Sequence, residues 1–171
     1  MNDLDDLIDL VAPPTAPELG SADWAALTAT LKLTLPADYV RLMTTYGIAA
    51  PGAGWLEYYR PLDLREGLAE RALDVSDTYR YLRSLYPEDL PEAVWPEPGG
   101  FLAFASTRDA DNLGWLTDTW QLAVWPRRDD ALIRLPGTLT ETLRDWLKGD
   151  LDVPGLPAAE AAAFGPFRSL L

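Results

Sequence analysis

Three oxygen-bearing side chains stand close together in one short stretch of the chain, at Asp109, Asp111 and Asn112. Carboxylate and amide oxygens are the usual ligands of hard cations such as Ca²⁺. An EF-hand loop that begins at Asp109 would need an oxygen ligand at its fifth position and a bidentate glutamate at its twelfth. Leu113 and Trp120 occupy those two positions. The pattern therefore favours a polar turn over a metal site, and in a functional form the turn would accept an Arg or Lys of a partner.

Catalytic side chains are scarce, because the 171 residues include no histidine and no cysteine. That composition excludes imidazole and thiol chemistry, including Ser-His and Cys-His pairs. Serine catalysis would require a Ser-Lys arrangement, but neither Lys32 nor Lys148 has a serine nearby in the sequence. With 27 acidic residues, carboxylate pairs arise by chance, and we expect most of them on solvated helix faces, such as that of Asp63, Glu66, Glu70 and Asp74. We expect no enzymatic activity and no cofactor, with a carboxylate-based hydrolase as a distant alternative.

The formal charge of −13 bears on the partners the chain can have. Binding to nucleic acid depends on Lys and Arg that displace counterions from phosphates, so we expect no nucleic-acid partner. The same charge argues against an anionic membrane surface. The segment Met1–Asp9 is acidic and lacks the positive region and apolar run of a signal peptide, so the sequence predicts a cytoplasmic protein.

Seven tryptophans give the chain much amphipathic ring surface, which suits both a core and a binding site. Side chains alternate along a strand, so Trp120 and Trp125 are predicted on opposite faces of one strand. A sheet covered by helices on one side would leave one of them on an open surface. We therefore interpret Trp55, Tyr58, Trp115, Trp120 and Trp125 as partner-binding candidates, and the alternative is that helices cover both faces.

Acidic residues concentrate in two segments of the chain. Residues 1–36 hold six acids against one base and residues 61–99 hold nine against four, whereas residues 100–136 are nearly neutral, with five and four. A near-neutral aromatic sheet beside acidic helices is typical of a protein-binding face with an electrostatic rim. The candidate binding carboxylates are those of the connector after residue 87 and of the polar turn: Glu88, Asp89, Glu92, Glu97, Asp109 and Asp111.

The spacing of apolar residues predicts five helices followed or interrupted by short strands. The predicted helices cover 3–11, a segment capped by Ser21 and ending before Leu35, Pro36–Tyr46, Asp63–Tyr86 with room for a break between Asp74 and Asp77, and Thr138–Lys148. The predicted strands cover 55–60, 101–106, 113–118, 121–126 and 131–135. The last four follow one another too closely for crossover helices, which predicts an antiparallel meander.

Together these elements predict an α+β fold, a mostly antiparallel sheet of about five strands packed with N-terminal, central and C-terminal helices. We divide the chain into an N-terminal helix with a Pro-rich linker over 1–20, an α+β domain over 21–150 and a tail over 151–171. The tail includes an Ala-rich piece at 157–164.

The order of these elements resembles the SUKH superfamily, which includes bacterial toxin-immunity proteins and fungal cell-wall synthesis regulators. The resemblance spans roughly residues 24–148 and rests on four segments, which are Leu35–Tyr39 leading to Thr45–Gly47, Phe101–Ala105, Asp109–Trp115 and Leu139–Leu147. The turn Arg108–Asn112 departs from the family pattern, in which a glycine is common.

The resemblance implies a non-enzymatic domain whose sheet and adjoining loops engage another protein. It implies an immunity-type binder that neutralises a cognate toxin by occluding its active site. If the toxin is a nuclease, its basic groove would meet the acidic rim formed chiefly by Glu88, Asp89, Glu92 and Glu97. The alternative is a regulatory scaffold that binds a cellular protein unrelated to any toxin.

Overall fold

The computed structural model describes residues 3–49, 54–63, 65–128 and 131–158, and confirms the α+β fold. The helices in the described ranges are α1 (Asp3–Leu10), α2 (Trp24–Leu31), α3 (Ala37–Tyr46), α4 (Leu68–Leu85) and α5 (Leu139–Lys148). The strands are β1 (Leu56–Tyr58), β2 (Phe101–Thr107), β3 (Asn112–Leu116), β4 (Gln121–Trp125) and β5 (Ile133–Arg134). Helix accounts for about 36% and strand for about 17% of the described residues.

The five strands form one sheet in the order β1-β2-β3-β4-β5. Every neighbouring pair is antiparallel, which confirms the predicted meander. A β-bulge between Ala103 and Ala105 shifts the register of β2 against β3. Gly114 lies beside this bulge, where an added Cβ would come within 2.4 Å of the Leu102 carbonyl oxygen and 2.6 Å of the Phe101 ring. Only glycine therefore fits at this point of the sheet.

Helix ends follow local hydrogen bonding. Asp23, not the predicted Ser21, caps α2, because its carboxylate accepts a hydrogen bond from the Ala26 N–H at 2.9 Å. Thr138 and Glu141 form a capping box at the start of α5. Gly149 ends α5 in the left-handed conformation, which glycine adopts without steric cost.

Helix α4 is shorter than predicted and has no break. It begins at Leu68 because Asp63 makes a turn before it, accepting hydrogen bonds from the N–H groups of Arg65 at 2.9 Å and Glu66 at 3.3 Å. The helix then continues to Leu85, so the predicted start at Asp63 and the proposed interruption are both wrong.

Helices cover both faces of the sheet. On one face Trp115 packs against Phe104, with ring centroids 3.9 Å apart, and against Tyr39 of α3 at 5.1 Å. On the other face Trp125 packs edge-on against Tyr79 of α4 at 4.6 Å. The alternative stated in the sequence analysis, that helices cover both faces of the sheet, is therefore the observed arrangement.

The segments at the two ends of the described chain pack on the same core. Leu4 and Leu7 of α1 are buried, and α1 lies along α5. The Tyr46 hydroxyl donates a hydrogen bond to the Val11 carbonyl at 2.7 Å. Near the other end Val153 is buried and the indole N–H of Trp146 donates to a backbone carbonyl at 2.8 Å. Most of the predicted Ala-rich piece, from 159 on, lies outside the described residues.

Candidate protein-binding surface

Three aromatic residues predicted to contact a partner are core residues, namely Tyr58, Trp115 and Trp125. Trp115 is 2% exposed and Trp125 is 7% exposed. The Tyr58 ring stacks on Phe104, with centroids 6.3 Å apart. The expected open sheet face bearing these rings is therefore wrong, because α3 and α4 occupy the space on either side of the sheet.

The other two aromatic candidates are half-buried. Trp120 follows the turn between β3 and β4 and meets Trp115 edge-on, with ring centroids 6.0 Å apart. Trp55 precedes β1, and the guanidinium of Arg108 lies 5.4 Å from its ring centroid. Each ring is therefore partly covered by a neighbouring side chain, and neither presents a full face to solvent.

The polar turn is held by its own side chains. Asp111 is buried, and its carboxylate accepts hydrogen bonds from the Thr107 hydroxyl at 2.9 Å and from the Arg127 N–H at 2.8 Å. Asp109, in contrast, is exposed. Asp111 thus joins the β2–β3 turn to the end of β4 and is not directed at a partner.

Asp109 and Asp111 also line an open cleft of about 440 Å³ beside Arg108 and Arg127. A glycosidase-type hydrolase would need two facing carboxyl groups free to act on a substrate. Both Asp111 oxygens are already hydrogen-bonded within the protein, so this cleft does not favour that chemistry. Among the described residues no three side chains of metal-ligating type converge to hold an ion.

Two of the four connector carboxylates form ion pairs within the protein. Glu97 lies 2.8 Å from the Arg83 guanidinium and 3.1 Å from that of Arg80. The hydrogen bonds from Arg83, with those from Arg80 and the Val94 N–H, lower the pKa of the Glu97 carboxyl to about 2. Glu92 pairs with Arg134 at 3.2 Å. These two carboxylates hold the connector to α4 and β5, so they add little to an acidic rim.

Glu88 and Asp89, by contrast, are exposed and make no ion pair with any residue in the described ranges. Beside them in the chain α4 ends in three large exposed side chains: Tyr81 is 65% exposed, Leu85 51% and Tyr86 57%. We call Tyr81, Leu85, Tyr86, Glu88 and Asp89 the α4 patch. Tyrosine is enriched at interaction hot spots, and large exposed apolar side chains in a group mark binding surfaces more often than isolated ones do.

Hydrogen bonds and a buried side chain fix the backbone next to the α4 patch. Leu90, one residue after the patch, is 2% exposed, and its N–H donates to the Tyr86 carbonyl. Arg83, on the last turn of α4, donates to the Glu92 carbonyl at 2.9 Å as well as to Glu97. A surface held in one conformation loses less entropy when it binds, which favours recognition.

The apolar spacing of the sequence indicates that some residues of the α4 patch are exposed. The predicted apolar stripe of this helix runs through Leu64, Leu68, Ala72, Val75, Tyr79, Leu82 and Tyr86. It leaves out three large apolar side chains, those of Leu73, Tyr81 and Leu85. Apolar residues off the buried stripe of a helix are exposed. The residue at 86 was assigned to the stripe and is exposed because the helix ends just before it.

Comparisons with known proteins find no match for this chain among protein-family models, curated proteins or solved structures. Within the described ranges, none of the helices combines the length and apolar character needed to span a bilayer.

Proposed function

We propose that this protein is a binding domain that engages a basic protein partner through the α4 patch. The observation that carries this proposal is the grouping of Tyr81, Leu85 and Tyr86 beside two unpaired carboxylates on a rigidly held helix end. The aromatic rings supply the buried contact area of an interface and the carboxylates supply the charge that selects a basic partner.

The kind of partner follows from the sequence resemblance to SUKH immunity proteins. We propose an immunity-type role, in which the domain neutralises a cognate toxin by covering its active site. A nuclease toxin fits the charge best, because its substrate groove must be basic to hold a phosphate backbone. Such a toxin acts inside the cell, so the inhibitor would work in the cytoplasm.

The alternative is a regulatory scaffold that uses the same patch to bind a cellular protein. The immunity role and the scaffold role involve different partners and the same binding surface, the α4 patch. A toxin encoded by the adjacent gene would favour the immunity role, whereas a chromosomal partner encoded elsewhere would favour the scaffold.

Coexpression of this protein with the product of the adjacent gene tests the immunity role. We expect the pair to copurify as a stable complex and the inhibitor to restore growth of cells that produce the adjacent protein. Absence of a complex with any adjacent gene product would contradict the immunity role.

Substitutions in the α4 patch test the surface. Tyr81→Ala and Tyr86→Ala are expected to weaken a measured complex by roughly 30-fold or more each if they are hot spots. Leu62→Ala is the matched control, because Leu62 is also exposed and lies outside the patch. Equal effects of all three substitutions would exclude the α4 patch as the binding surface.

The charge contribution has its own test. Glu88→Gln with Asp89→Asn should slow association at low salt and have little effect at high salt, because exposed charges act through a screened field. Asp5→Asn with Asp9→Asn removes the same charge from the exposed side of α1 and serves as the control. An association rate that is unchanged at low salt would show that the connector carboxylates do not steer the partner.

A further inference from the structure

A second open site lies between α4 and the sheet, and its lining residues are different from the five residues of the α4 patch. It is a cleft of about 430 Å³ between the 71–82 stretch of α4 and the ends of β2, β3 and β4. Its volume falls in the range of small-ligand sites. Nothing in the proposed partner interaction uses this cleft.

The apolar wall of the cleft is formed by Val75 and Leu82 from α4 and by Trp125 from β4. Trp125 is held in place by its edge-on contact with Tyr79 at 4.6 Å. Trp125 is 7% exposed and contributes only its accessible part, so the wall is completed by Val75 and Leu82, which are half-buried.

Two arginines, Arg71 and Arg127, lie at the mouth of the cleft. Their guanidinium groups make no ion pair with any residue that the structure describes. The Arg71 guanidinium lies 5.1 Å from the centroid of the Tyr59 ring, which holds it over the cleft. The backbone N–H of Arg127 donates to Asp111, which anchors that residue while its side chain stays exposed. The protein has a net charge of −13, so the two arginines make this cleft a positively charged exception on its surface.

Neutral polar side chains also line the cleft. The Tyr59 hydroxyl donates to the Asn112 side-chain carbonyl at 3.0 Å, and both residues belong to the lining. Burial raises the pKa of Tyr59 against the opposing effect of Arg71, so the phenol keeps its proton at neutral pH.

We propose that this cleft binds a carboxylate carried on an apolar body. Arg71 and Arg127 hold the carboxylate, and the apolar wall of the cleft contacts the apolar body of the ligand. Guanidinium forks match the geometry of a carboxylate and can donate two parallel hydrogen bonds to it.

The lining selects a carboxylate over a phosphate. Asp74 also lines the cleft, so the three charged side chains leave one net positive charge. A single carboxylate balances that charge, whereas a phosphate dianion would leave one uncompensated negative charge in the cleft. A carboxylate with an apolar body has two sources, a small organic acid or the C-terminal residue of a polypeptide, and both present the same chemistry.

Isothermal titration of the full chain with 3-phenylpropanoate, and with 3-phenylpropanol as the uncharged match, tests the proposal. We expect the acid to bind with a Kd of roughly 1 mM or tighter, as its size allows, and the alcohol at least fivefold more weakly. Equal binding of acid and alcohol, or no binding of the acid at 10 mM, would overturn the proposal.

The arginines are tested by Arg71→Gln and Arg127→Gln, each expected to weaken binding of the acid at least fivefold. Arg41→Gln is the matched control, because Arg41 is an exposed arginine on α3 that does not line the cleft. All three residues are exposed, so the variants are expected to fold. If Arg71→Gln and Arg127→Gln bind as well as Arg41→Gln, the assigned carboxylate position is wrong.

A second arm distinguishes the two sources. Pentapeptides that end in phenylalanine are titrated with a free and with an amidated C-terminus. Binding of the free form at least tenfold tighter than the amidated form assigns the cleft to a chain terminus. Binding of 3-phenylpropanoate without binding of either peptide assigns it to a small acid, and either result supports the carboxylate site independently of the α4 patch.

Discussion

Replacing Glu97 by glutamine removes one charge from the ion-pair network that joins the connector to α4. Glutamine keeps a carbonyl oxygen at the same place, so the change isolates the charge from the shape of the side chain. In the native protein the Glu97 carboxylate accepts hydrogen bonds from Arg83 at 2.8 and 3.2 Å and from Arg80 at 3.1 Å.

The magnitude follows from the pKa of Glu97, which these contacts lower from 4.5 to about 2. At about 1.4 kcal/mol per pKa unit such a difference would amount to roughly 3 kcal/mol. The side chain is 32% exposed, and solvent screening reduces the expected contribution to about 1–2 kcal/mol. For a chain of this length that loss lowers Tm by roughly 2–8 °C.

The pH dependence has a definite sign. The folded-state pKa of Glu97 lies below its unfolded value, so its contribution is complete above about pH 4.5 and is lost as the pH falls towards 2. Urea unfolding of the native protein and of Glu97→Gln should therefore differ at pH 7, and the difference should shrink as the pH falls from 4.5 towards 2.

The control is Glu88→Gln, which removes an exposed carboxylate without a hydrogen-bond partner in the described chain and should change the free energy of unfolding by less than about 0.5 kcal/mol. A Glu97→Gln difference that stays constant or grows as the pH falls would refute this account of the network.

Three other substitutions test the packing of the fold by the free energy of unfolding. Gly114→Ala should destabilise the protein by about 1–3 kcal/mol, because its Cβ would meet the Leu102 carbonyl and the Phe101 ring; an unchanged stability would contradict the close approach. Thr138→Ala should cost about 0.5–2 kcal/mol by removing the helix cap of α5, and Thr138→Ser should restore most of it. Tyr39→Phe should be neutral or stabilising by about 1 kcal/mol, because the buried hydroxyl has no hydrogen-bond partner among the described residues; a loss of 1 kcal/mol or more would show that it has one.

Much of the secondary structure was predictable because it depends on local chemistry. Helical periodicity and the glycine at 47 were sufficient to place α3, and the apolar spacing of residues 139–147 with the glycine at 149 was sufficient to place α5. The short spacing of the later strands was sufficient to predict an antiparallel meander. The start of α4 was misplaced because Asp63 forms its own hydrogen-bonded turn, and periodicity does not distinguish such a turn from the first turn of a helix.

The candidate site was predicted less well, because alternation along a strand shows which residues share a face and not what covers that face. Trp120 and Trp125 were predicted on opposite faces of one strand. In the structure Trp125 is buried against Tyr79 of α4, and Trp120 meets Trp115 on the face that α3 covers. Similarly, a count of carboxylates does not show which of them have partners. Glu97 meets Arg80 and Arg83 only because the connector returns along α4.

The sequence by itself determined the class of fold, the lack of imidazole and thiol chemistry and the acidic character of the protein. Each depends on composition or on contacts within a few residues along the chain. The tertiary structure alone decided which aromatic rings and which carboxylates reach solvent. Burial and ion pairing depend on elements distant in the chain, and their packing removes two connector carboxylates from the rim, exposes Tyr81 and Tyr86, and brings Arg71 and Arg127 to one cleft.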